Sequence, residues 1–167
     1  MVALPKRRSN GRRATVAPCR IRPARADDVG RVHEIERASF ADPWTADDFH
    51  FALSGVGAFL VAEAEGDGGV VGYIVGRHVI EEAEILNLGV AADARRRGIG
   101  RALVAALNAR FQSAGVSSIF LEVRESNSVA RRLYESFGFS AVGRRRDYYR
   151  RPVEDAIVLR SAISAGE

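Results

Sequence analysis

The stretch ARRRGIGRAL sets Arg95, Arg96 and Arg97 directly before Gly98, Ile99, Gly100 and Arg101. Ile99, Leu103, Leu107 and Phe111 recur at four-residue intervals, which predicts a helix with one buried stripe from Ile99 to about Ala114, stopped by Gly115. Gly98 and Gly100 then fall in its first turn, where amide N–H groups lack intrahelical partners and the helix dipole adds partial positive charge. Without β-carbons the backbone there is open to a ligand, and the chemistry favours a phosphate. A phosphate loop of the Gly-Lys-Ser/Thr type fits poorly, because the stretch has no lysine. A dinucleotide fingerprint fits poorly as well, because Leu103 stands where a third small residue is required. The competing reading is a plain turn with solvated arginines. Glu122 is the second chemical candidate. In SIFLEV, Ile119, Leu121 and Val123 share one strand face and Phe120 and Glu122 the other, so a carboxylate sits inside an otherwise apolar strand. Desolvation there would raise its pKa toward the range of a general base; a strand face open to water would not.

These residues need elements to hold them. CRIRPARADDV reads as a short strand and turn, with Asp27 or Asp28 favouring the start of a helix that runs to about Ser39. Pro43 breaks that helix, and Thr45 caps a short second one. GAFLVAEAEGDGGVVGYIVGRHVI is two β-rich runs about a Gly/Asp turn, and AEILNLGV completes an antiparallel meander. After the glycine-opened helix come the strand SSIFLEV, a helix from about Ser128 to Phe137, and two last strands, FSAVGRRRDYY and EDAIVL. The expected class is α+β, a central mixed and mostly antiparallel sheet flanked by helices.

At 167 residues the chain is expected to fold as one domain over residues 19–167, preceded by a basic arm over residues 1–18. Residues 1–25 hold eight basic side chains and no acid, which leaves 17 basic against 21 acidic residues in the remainder. The arm's Gly, Ser, Pro and charge content predicts disorder, and nonspecific attraction to RNA is its sharper alternative. No apolar run approaches the roughly 20 residues of a membrane span and no amino-terminal block resembles a secretory signal, so a soluble, cytoplasmic protein without membrane contact is expected. The single cysteine, Cys19, reads as a small hydrophobe near the first strand, and no Cys/His cluster has metal-ligand spacing, so no metal is expected.

The pattern Arg/Gln-x-x-Gly-x-Gly/Ala between a strand and a helix, here Arg95 to Gly100, resembles the acetyl-CoA pyrophosphate loop of the GNAT (GCN5-related N-acetyltransferase) superfamily. The resemblance covers about residues 19–160. Within that superfamily DPW, EEAEILNLGV, IFLEVRESNSVARRLYESFGF and RRRDYYRRPVEDAIVL are similar to the RimI type, the ribosomal-protein-alanine N-acetyltransferases. Arg95 stands where many relatives carry glutamine, and the basic arm has no counterpart in the family pattern.

The resemblance implies a fold with a splayed pair of parallel strands at a coenzyme slot, with Gly89 as the bulge that opens it. It implies acetyl-CoA as cosubstrate and a protein α-amino group as acceptor, specifically the amino-terminal alanine of a small-subunit ribosomal protein. A broader amino-terminal or small-amine acetyltransferase, or a coenzyme- or RNA-binding module without turnover, are the alternatives. An α-amino group is largely protonated at neutral pH, so a base is needed, and the resemblance gives Glu122 that role, acting through water. It gives Tyr134 the role of acid for the thiolate leaving group; a half-buried packing aromatic is the alternative. Leu88, Gly89 and Val90 would offer backbone hydrogen bonds to the pantetheine arm, and Arg96 to Arg101 the amides around the diphosphate. Asn127 is expected as a helix N-cap, a coenzyme contact, or both. Tyr148 and Tyr149 resemble an aromatic loop over the incoming amino terminus, and Trp44 a packed helix corner. Glu81, Glu82 and Glu84 would favour a basic peptide if they line the entrance; a charged edge strand is the other reading.

Overall fold

The structure, a computed structural model, describes residues 19–55 and 57–164. The expected basic arm over residues 1–18, with its RNA contact, lies outside the described residues. Seven strands form one sheet: β1 (Cys19–Pro23), β2 (Gly57–Ala64), β3 (Val70–Val79), β4 (Glu82–Val90), β5 (Ser118–Arg124), β6 (Ser140–Arg150) and β7 (Val153–Ala162). Their spatial order is β1-β2-β3-β4-β5-β7-β6. Every neighbouring pair is antiparallel except β4 and β5, which run parallel. Four helices cover the sheet: α1 (Val29–Ser39), α2 (Ala46–Ser54), α3 (Ile99–Ser113) and α4 (Ser128–Glu135). The α+β class and the mixed, mostly antiparallel sheet are as the sequence predicts.

Local chemistry explains the boundaries. Asp28 does not cap α1 with its side chain. Its carboxylate accepts from the Arg22 guanidinium at 2.7 and 2.9 Å and from the Arg25 amide at 2.7 Å, which locks the turn before the helix. Thr45 opens α2 with a reciprocal capping box to Asp48. Along α3, Ile99, Leu103, Leu107 and Phe111 are all buried, and Gly115 follows at φ +81°, as the four-residue spacing requires. The helix predicted to reach Phe137 ends at Glu135, because the Phe137 and Gly138 amides fold back onto the Tyr134 and Glu135 carbonyls and Gly138 takes φ +84°.

The parallel junction is short. Only Glu82, Ala83 and Glu84 of β4 pair with β5, opposite Ser118, Ile119 and Phe120. Beyond Glu84 the two strands part, which leaves the β5-facing edge of β4 without a strand partner. The bulge is not at Gly89, which pairs regularly with Tyr73. It is at Leu86: Val75 pairs with Asn87 and Gly76 with Ile85, so Leu86 is the extra residue that turns the strand. Gly89 is needed for another reason, since a Cβ there would lie 2.5 Å from the Tyr73 ring.

Cys19 is half-buried in β1, and burial together with Glu65 pushes its thiol up, opposite to what a reactive thiolate needs. Among the described residues no helix is long and apolar enough to cross a membrane. Replacing Gly89 with Ala should push Tyr73 aside and cost about 1–3 kcal/mol in chemical denaturation, the usual penalty for overpacking a tight core; an unchanged stability would contradict the close approach.

Candidate active site

Where β4 and β5 part, they open a cavity of about 510 Å³. Ile85 to Leu88 form one wall and Leu121 to Arg124 the other. Asn127, Ala130 and Tyr134 of α4 and its approach complete the lining together with Glu36 of α1, residues of the segment after it (Phe40, Asp42 and Trp44), and Tyr149 of β6.

The glycine turn lies at the amino end of α3. Gly98 caps the helix at φ 80°, and Arg96, two residues earlier, is also left-handed at φ 61°. No side chain caps the turn, and the first helical bond runs from the Ala102 amide to the Gly98 carbonyl, 3.0 Å. The Ile99, Gly100 and Arg101 amides are therefore left without a backbone acceptor among the described residues, an arrangement suited to an anion. The arginine side chains divide. Arg95 lies along the surface, donating to the Val90 carbonyl at 3.0 Å and the Ser39 hydroxyl at 3.1 Å, so it ties the end of β4 to α1. Arg101 donates to Ser136 at 2.8 Å and stacks on Phe137, which fixes α3 against α4. Arg96 and Arg97 are exposed. Leu88 lines the cavity, Gly89 is buried against Tyr73, and Val90 ends the strand beside the turn.

Glu122 and Tyr134 both line the cavity. On β5, Ile119, Leu121 and Val123 are buried on one face, and Phe120, Glu122 and Arg124 are half-buried on the other. The Glu122 carboxylate is not free: the Arg145 guanidinium of β6 binds it at 2.5 Å. Tyr148 faces the same carboxylate, and that hydrogen bond, with partial burial, pushes its hydroxyl up. The arginine run RRRDYY thus contributes a partner to Glu122, a contact that the sequence reading did not propose. Tyr134 is 5% exposed, packs edge-on against Phe139, and is pushed well up by burial. Tyr149 is pushed up to about 12, mainly by burial, and its ring lies under the Arg124 guanidinium. The Asn127 side chain accepts from the Ala130 amide at 3.1 Å, so it is an N-cap that also lines the cavity. Glu81, Glu82 and Glu84 do not line it; they stand at the paired end of the fork, and Glu84 is held by Arg77 at 2.8 Å.

Glu36 is the residue that sequence reasoning missed. It is 2% exposed, yet it is a carboxylate on the cavity wall. The signal was present, because Val29, Val32 and Glu36 fall on one helical stripe, and a charged residue on a buried stripe calls for an explanation. Among the described residues no cluster of His, Cys, Asp or Glu could hold a metal ion.

The sequence pattern of the acetyltransferase (GNAT) family matches residues 29–139. The chain belongs to that family. It is 35% identical over 141 residues to the [ribosomal protein bS18]-alanine N-acetyltransferase of Escherichia coli (strain K12), covering 82% of this chain and 93% of the relative. The enzyme of the same name from Haemophilus influenzae is 33% identical over 138 residues, covering 80% of this chain and 92% of the relative. Among solved structures, the Escherichia coli ribosomal-protein-S18-alanine N-acetyltransferase superposes with a TM-score of 0.81 at 31% identity, covering 90% and 97% of the two chains. Ard1 from Thermoplasma volcanium superposes with a TM-score of 0.79 at 29% identity, covering 87% and 98%. The GNAT fork is therefore the parting of β4 and β5, and this acetyltransferase builds its cavity there.

All four tyrosines, Tyr73, Tyr134, Tyr148 and Tyr149, are raised above the ordinary phenol value. Spectrophotometric titration of the folded protein should therefore show less than half of the tyrosine ionised at about pH 10, the midpoint for a free phenol. Half-ionisation at that pH, with native circular dichroism retained, would contradict the burial described.

Proposed function

We propose that this chain transfers the acetyl group of acetyl-CoA to the α-amino group of a protein amino terminus, and that its acceptor is the amino-terminal alanine of a small-subunit ribosomal protein. The observation that carries the reading is the fork: one cavity holds a carboxylate on β5 and a buried phenol on α4, beside a turn with unsatisfied amides. The acceptor chemistry follows the names of the relatives, which act on ribosomal protein bS18.

Each part has a physical task. The Ile99, Gly100 and Arg101 amides and the α3 dipole hold the diphosphate, with the exposed Arg96 and Arg97 adding positive charge around it. The unpaired edge of β4 at Leu88, Gly89 and Val90 hydrogen-bonds the pantetheine arm as a missing strand would, and a main-chain N–H there polarises the thioester carbonyl. Asn127, while capping α4, adds a polar contact to the coenzyme. Glu122, acting through water, takes the proton of the α-ammonium group, for which it must first be released from Arg145. The neutral amine then attacks the carbonyl carbon, the carbon–sulfur bond breaks, Tyr134 protonates the leaving thiolate, and the proton that the nitrogen sheds on becoming an amide returns through water to the Tyr134 oxygen. Burial keeps the Tyr134 hydroxyl in its donor form across the working pH range. Tyr148 and Tyr149 cover the incoming amino terminus.

Glu122→Gln and Tyr134→Phe should each lower turnover by roughly 10²- to 10⁴-fold, the span expected for lost acid-base catalysis, with folding intact. Mass spectrometry of alanine-initiated ribosomal peptides incubated with acetyl-CoA tests the reading. It predicts one acetyl group on the terminal nitrogen. Near-normal rates in both variants, or acetylation of lysine side chains alone, would overturn it.

A further inference from the structure

The carboxylates lining the cavity are Glu36, Asp42 and Glu122, and two of them are matched by cations. Glu122 is paired with Arg145 at 2.5 Å and Asp42 with Arg151 at 3.4 Å. Arg124, the cation of the lining, is paired with Glu154 at 3.3 Å. Glu36 forms no ion pair among the described residues, although it is the most buried of the three. It is held by neutral donors from three separate elements: the Tyr73 hydroxyl on β3, the Asn87 amide on β4 at 3.0 Å, and the Trp44 backbone N–H beyond α1 at 2.9 Å. Three neutral hydrogen bonds occupy the carboxylate oxygens but bring no positive charge to them.

A buried, unbalanced negative charge is costly, and the same packing could be had without it. A glutamine in place of Glu36 would accept from Asn87 and Trp44 through its oxygen and donate to the Tyr73 oxygen through its nitrogen. What glutamine cannot supply is a negative charge beside the cavity, on a side chain only 2% exposed and so little screened by solvent. From this we infer that Glu36 is a specificity-determining residue, the counter-charge that draws a cationic acceptor amine into the cavity and lets the neutral, acetylated product go. The inference rests on the proposed acceptor class and deepens it. Glu36 does not move the proton. It favours the protonated amine over the amide in the same slot, while Glu122 on β5 accepts the proton when its bond to Arg145 opens.

The test compares two ligands of one sequence, an alanine-initiated peptide with a free amino terminus and the same peptide amino-acetylated. Both are titrated calorimetrically into enzyme saturated with CoA, which binds the slot without turnover, at a pH about one unit below the α-amino pKa of 7.7–8.0. Wild type should prefer the free amine by tenfold or more, about what one unscreened charge supplies at such a site. Glu36→Gln should lose most of that preference, with acetyl-CoA affinity within about twofold of wild type and no fall in thermal stability. Tyr73→Phe, which removes one hydrogen bond but keeps the charge, should retain the preference. A Glu36→Gln enzyme that still discriminates like wild type overturns the role of Glu36 alone. So does a Tyr73→Phe enzyme that loses as much as Glu36→Gln, because the network would then be merely structural. Binding of neither peptide to wild type overturns the acceptor class along with it.

Discussion

The molecule depends on two neighbouring strands that hydrogen-bond for three residues and then separate. β4 and β5 are held together at Glu82 to Glu84 and by nothing of the ladder beyond. Main-chain groups deprived of a partner must find another, so the parting creates a demand for hydrogen bonds along β4 that a linear ligand can meet. Leu86 supplies the turn away from the shared plane, and regular pairing with β3 on the other side keeps β4 in place while it turns. A single sheet can thus carry a cleft through its middle without losing its core, because α1 and α2 with β2 and β3 seal one half, and β7 with β5 seals the other.

The same division sorts the polar groups. On the α1 side, Glu36 gathers Tyr73, Asn87 and Trp44, and the requirement for Gly89 follows from that gathering, since Tyr73 reaches Glu36 only over a residue with no β-carbon. On the β5 side, Glu122, Arg145 and Tyr148 form a second set from strands on the far half of the sheet. At the bottom, Arg95 and Arg101 brace the turn by binding Val90, Ser39 and Ser136, which frees the turn's amides of structural duty. The arginine-rich loop therefore has two layers: side chains that hold the loop and a backbone left to bind.

Much of this was legible before folding was known. The 3.6-residue stripe of α3, the capping residues Thr45 and Asn127, and the alternation of β5 are local signals, set by residues a few positions apart, and the structure follows them; Gly98, expected in the first turn of α3, stands one position earlier as its cap. Other features depend on distant partners. The stripe of Val29 and Val32 marks Glu36 as a charge on a buried face, but its partners, Asn87 among them 51 residues away, appear only when the chain folds. Arg145 finds its partner only when β6 lies beside β7 and places its guanidinium against Glu122 on β5. The bulge moved from Gly89 to Leu86 because glycine signals backbone freedom, whereas register is decided by the facing strand. The helical stop at Glu135 rather than Phe137 shows Gly138 acting on the two residues before it.

The central claim is that the amides at the head of α3 bind the diphosphate of a pantetheine-bearing donor and so align its thioester with the cavity. Calorimetric titration with acetyl-CoA and with acetyl-pantetheine, which has the same thioester arm and no diphosphate, tests it directly. The account predicts that acetyl-CoA binds at least about 100-fold more tightly, since several charge-assisted hydrogen bonds are lost with the diphosphate. Equal affinity for the two would contradict it and leave the glycine turn as a structural corner only.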